Sequence, residues 1–188
     1  MLATLRHQLR QNHEIADKML EEAIDLFEDA GYGADEADDS LLAPVHGSNQ
    51  DRYVRFSPVM DSGAGDHVTN RNTLPEVPVQ PSPGSRRGQV YSAAGGKAIA
   101  NEGEQVIPLI SNEGARTQMT YQVAEVRRPL CSIARLCDRG NRVVFGRGGG
   151  VVQNLSTGRC SPFRREGAIY IMDLWFDTQN PNPFVRQG

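Results

Sequence analysis

The stretch Pro58–Val68, PVMDSGAGDHV, decides how this chain is read. Two apolar residues, Val59 and Met60, lead into Asp61-Ser62-Gly63-Ala64. Asp followed by a hydroxyl residue and glycine is a common turn signature. It is also the form a reactive carboxylate takes at the end of a buried strand. The apolar pair would anchor the strand in a core, and Gly63 would allow the sharp exit that leaves Asp61 in a rigid, partly dry place. One carboxylate is poorly suited to peptide hydrolysis. Two that share a proton are well suited, because their like charges cannot both ionise and their pKa values separate. The chain has no second Asp-[Ser/Thr]-Gly; Asp29-Ala30-Gly31 lacks the hydroxyl. A dyad would therefore need a second copy of the chain related by a twofold axis.

The surroundings of this stretch are uneven. Residues 1–50 carry 11 acids and 3 bases, whereas residues 51–188 carry 12 acids and 17 bases. Such a shift marks a boundary near residue 50. The arginines of the basic part are scattered between apolar runs, which reads as a solvated barrel surface rather than a nucleic-acid interface. Residues 1–31 are predicted as a helix with an apolar seam from Leu2 to Leu26, compatible with a short coiled coil. Residues 32–50 read as an acidic linker.

Beyond residue 50 the texture is β. Pro58 marks the strand over residues 52–61 as bent or at an edge. Residues 72–89 carry four prolines and read as an irregular connection. QVYSAAGGKAIA predicts a hairpin that turns around residues 94–97, and strands follow over 104–110 and in RTQMTYQVAEV. PLCSIARLCDRG reads as a helix of about two turns that Gly140 stops. NRVVFGRGGGVVQNL predicts a second hairpin whose GRGGG turn lacks the Lys-Ser/Thr of a phosphate loop. GAIYIMDLWF reads as a last apolar strand. Cys131 and Cys137 are expected to be packed thiols, and His67 a local structural residue. The three cysteines fit no zinc template, so no metal or cofactor is expected. Arg6 and Arg10 interrupt the first apolar run, and no segment approaches a membrane span. The expectation is an intracellular, cytoplasmic protein with no membrane contact.

Three blocks occur in a telling order: VMDSGA at 59–64, YSAAGGKAI at 91–99 and PLCSIARL at 129–136. Together they resemble one subunit of a retropepsin, the homodimeric aspartic protease of retroviruses and retrotransposons. The closer resemblance is to the copia-type retrotransposon polyprotein, through DSGAGDH, PLCSIARLCDRGNRVVF and STGRCSPFRREGAIYIMDLW, and covers about residues 51–176. It implies a closed β-barrel over 51–150, with a flap hairpin and one short helix, and a C-terminal strand extension and tail over 151–188. It implies that Asp61 pairs with its copy in a homodimer, that Ser62 bonds across the dimer axis, that Gly63 lets the backbone approach, and that Ala64 packs beneath. Ala93, Ala94, Gly95, Gly96 and Lys97 would form the flap tip that closes over an extended peptide of a polyprotein substrate. Ser132 departs from the pattern, since the family usually has Gly after the apolar pair. The alternative is a barrel that has lost catalysis and serves as a binding or assembly module.

Overall fold

The computed structural model describes residues 52–92 and 96–180. The helix and acidic linker expected over residues 1–50, and the last eight residues, lie outside that range. The described chain is mainly β. Its opening run does not stay one strand: it splits at Ser57-Pro58 into β1 (Tyr53–Phe56) and β2 (Val59–Asp61), which find different partners. β3 (Val68–Thr69) follows at once.

The proline-rich connection is not loose. It holds a short helix, α1 (Pro83–Arg86), closed by a capping box between Ser82 and Ser85. It also buries Leu74 and Val77. The buried Gln105 amide donates to the Leu74 and Val77 carbonyls at 3.1 and 2.6 Å. Gln80 bridges Glu104, and at Gly103 the approach is so close that a Cβ would lie 2.4 Å from the Gln80 carbonyl. This helix adds to the single one expected beyond residue 50.

β4 (Val90–Ser92) and β5 (Ala98–Ala100) form the predicted hairpin as a two-stranded sheet of their own. β6 (Gly103–Ser111) and β7 (Arg116–Val123) are a long antiparallel pair. β8 (Leu130–Ser132) runs into α2 (Ile133–Asp138), with the Ser132 hydroxyl capping the helix. β9 (Asn141–Phe145) and β10 (Gly149–Asn154) are the second hairpin, its GRGGG turn closed by Gly146 N–H to Gly149 O at 2.7 Å. β11 (Cys160–Glu166), β12 (Ile169–Ile171) and β13 (Leu174–Asp177) complete the set.

Eleven strands share one sheet in the order β1-β13-β6-β7-β3-β8-β2-β12-β11-β10-β9. Its two edges, β1 and β9, do not pair among the described residues, so the closed barrel that was expected is not found. The segment after residue 150 extends the sheet outward from β2 through β12, β11 and β10, and returns through β13 to pair β1 and β6. The core is continuous across this order. It includes Phe56, Met60, Ile107, Tyr121, Cys131, Phe163, Leu174 and Phe176. Phe56 meets Tyr121 edge to face at 5.1 Å.

Candidate active site

Asp61 ends β2 because two neighbours hold that strand on both sides. β8 runs parallel to it, with Met60 opposite Cys131 and Asp61 opposite Ser132. β12 runs antiparallel, with Ile171 opposite Val59. Met60 is buried, so the strand is fixed from below while Asp61 is half-buried and Ser62 and Gly63 are exposed. The Asp61 carboxylate accepts the Gly63 N–H through Oδ1 at 2.7 Å. A Cβ at Gly63 would lie 3.3 Å from the same oxygen. No hydrogen-bond partner for Oδ2 is found among the described residues.

The loop that follows is stapled in place. β2 and β3 lie on opposite sides of β8, so residues 62–67 cross the end of that strand. Ser132 sits at the crossing. Its hydroxyl donates to the Ala64 carbonyl at 2.6 Å, and its N–H donates to His67 Nδ1 at 3.0 Å. His67 is 3% exposed and lies against the Tyr121 ring. Burial lowers its pKa to about 4, helped by the Arg139 charge, so the imidazole is neutral and can accept at Nδ1. The residue that departs from the retropepsin pattern, Ser132, is thus the one that clamps the Asp61 loop.

Asp66 forms a second junction. Its Oδ1 receives Arg135 Nε and Nη2 of α2 at 2.9 and 2.6 Å. Its Oδ2 faces the hydroxyl of Tyr91 on β4 at 3.3 Å and the Gln89 amide at 3.5 Å. A cleft of about 380 Å³ opens beyond Asp66, between the His67 turn, β7 and α2. Asp61 is not among its walls.

Of the residues singled out in the sequence, Asp61, Ser62, Gly63 and Ala64 form one turn at the end of β2. Ala93, Ala94 and Gly95 lie outside the described residues. Gly96, at φ +76°, and Lys97 are exposed at the base of the hairpin turn, and Lys97 reaches Glu125 at 3.5 Å. Cys131 is a packed thiol whose pKa burial pushes up to about 12. Cys137 is exposed instead, because the short α2 turns it away from the face that carries Leu136.

His67 is the local structural residue expected, but sequence reading missed Ser132, Asp66 and Arg135 as supports of the loop. The signal was present in the two polar residues, Asp66 and His67, that follow the Asp-Ser-Gly-Ala turn before a buried strand. No family model, curated protein or solved structure matches the chain.

Proposed function

We propose that this chain is one half of a homodimeric aspartic endopeptidase of the retropepsin type, acting on extended segments of a retrotransposon polyprotein. The observation that carries this reading is the Asp61 turn. A carboxylate stands at the end of a strand held on both sides, one oxygen fixed by the Gly63 amide, with Ser62 and Gly63 of the turn exposed. The β4–β5 hairpin, a two-stranded sheet separate from the main one, supports it as a candidate cover.

In such a dimer the two Asp61 carboxylates share one proton. The ionised one takes a proton from water as the water oxygen attacks the scissile carbonyl carbon. The protonated one donates to the carbonyl oxygen, giving a neutral tetrahedral diol. Collapse of the diol returns a proton to a carboxylate and delivers another to the departing amine, which leaves the carboxylic acid and the amine as products. Gly63, lacking a Cβ, lets the two turns approach. The Ser132 clamp on Ala64 and His67 keeps the turn from relaxing once the charges face each other.

The test is cleavage of a peptide library by the purified full chain between pH 4 and 7. Wild type is expected to cut, to be inhibited by a transition-state mimic bearing a central hydroxyl, and to lose cleavage to background in Asp61→Asn with unfolding unchanged. Absence of cleavage by a purified dimer across that range overturns the reading. Intact function in Asp61→Asn favours the binding-module alternative.

A further inference from the structure

The β4–β5 hairpin is too short to be stable alone. Its apolar side chains contribute little: Val90 is 56% exposed and Ile99 only half-buried. The Tyr91 hydroxyl connects it to the body of the protein. That hydroxyl faces Asp66 Oδ2 at 3.3 Å and receives the Asn101 amide at 3.2 Å. The same amide lies 3.2 Å from Gln89 Oε1 and 2.9 Å from Gln122 Oε1 on β7, and Gln122 in turn donates to Glu104 on β6. On the other side, Arg135 grips Asp66 from α2. Burial, reinforced by the Asp66 charge, keeps the Tyr91 phenol protonated, so its O–H remains a donor.

We propose that Asp66 is a positioning residue: with Arg135 behind it and Tyr91 in front, it latches the root of the hairpin to the loop that carries Asp61. The inference rests on the proposed function only in treating the hairpin as a flap over that carboxylate; the latch itself is a contact between β4 and the loop. Asp66 has one oxygen for each task. Oδ1 belongs to the helix and Oδ2 to the hairpin, so the carboxylate transmits the position of one to the other. The 3.3 Å contact to Tyr91 is long for a hydroxyl donor. Such a bond opens readily, as a latch on a moving element requires.

The experiment is amide hydrogen exchange on the full chain, read over residues 90–92 and 98–100 and compared with β6 and β7. Tyr91→Phe and Asp66→Ala are each expected to speed exchange in the hairpin about three- to tenfold, as loss of one hydrogen bond would. The double variant is expected to match the single ones, since both remove the same contact. Asp66→Asn keeps one acceptor oxygen for two donors, Arg135 and Tyr91, so its hairpin is expected to exchange faster than wild type but slower than Asp66→Ala. Where wild type cleaves peptide, Asp66→Ala raises KM more than it lowers kcat, because the cover is displaced and the dyad is not.

Hairpin exchange at wild-type rates in Tyr91→Phe and Asp66→Ala overturns the latch. So does an equal rise across β6 and β7, which would make Asp66 a residue of the fold. If wild type fails to cleave while the hairpin responds as expected, the endopeptidase reading falls and the latch stands.

Discussion

At the residue scale, the Asp61 turn depends on side chains brought to it from distant parts of the chain. Burial, with the Arg139 and Arg135 charges outweighing Asp66, holds His67 neutral in the folded chain, so it titrates lower there than in the unfolded chain. Between about pH 6.5 and about pH 4, the unfolded chain binds a proton that the folded chain does not. The stability His67 contributes is therefore complete above pH 6.5, falls as the pH drops through that window, and is gone below it. The loss is on the order of 2–3 kcal/mol. Urea unfolding at pH 7, 5 and 4 checks this: wild type weakens relative to His67→Gln across the window, and parallel curves refute it. Ser132→Ala removes both the α2 cap and the clamp on Ala64, and costs about 1–3 kcal/mol by the same unfolding measurement. Gly63→Ala is a milder probe. Its Cβ would press on the Asp61 oxygen at 3.3 Å, so cleavage falls while the melting temperature changes little.

At the element scale, the parts that were legible in the sequence are those with local causes. The β4–β5 and β9–β10 hairpins follow from glycine turns between alternating strands, and β6 and β7 from their own alternation. The α2 helix follows from its apolar spacing and its stop at Gly140. Pro58 marked the first bend, but the different partners of β1 and β2, and the break at Met172-Asp173, were not legible, because they answer to distant strands. Phe56 pairs Leu174, whereas three residues later Val59 pairs both Leu130 and Ile171. Leu74 and Val77 looked like part of a proline-rich connection, yet they enter the core because Gln105 reaches across to satisfy their carbonyls. The Asp61 turn was legible as a candidate. Its staples were not, since Ser132 and Arg135 lie about seventy residues away in the chain. The β9–β10–β11 corner shows how tight such packing is. A Cβ at Gly150 would come within 2.2 Å of both the Phe163 ring and the Val144 carbonyl. Gly150→Ala is expected to destabilise by about 2 kcal/mol, seen as a lower melting temperature.

At the scale of the whole molecule, the first and last described strands are bound to each other by charge. Asp173 is buried and accepts Arg55, Ser57 and Arg164, joining β1, the Ser57 bend and β11 at one carboxylate. Burial works to raise its pKa, but these three donors outweigh it and hold the carboxyl below its ordinary value. Arg52 grips Asp177 in the same way at 2.8 Å. Asp173→Ala leaves two guanidiniums without their shared partner and is expected to cost about 3 kcal/mol, measured by denaturant unfolding at pH 7. The segment beyond residue 150 is thereby tied into the sheet that carries Asp61.

The central claim concerns two molecules rather than one. It is tested most directly by the separation of the two Asp61 carboxylates in a crystal structure of the purified protein bound to a hydroxyl-bearing peptide mimic. The proposed dimer places them within hydrogen-bonding reach, about 3 Å apart, with the hydroxyl between them. Carboxylates more than about 10 Å apart, beyond the reach of a shared proton, would contradict it.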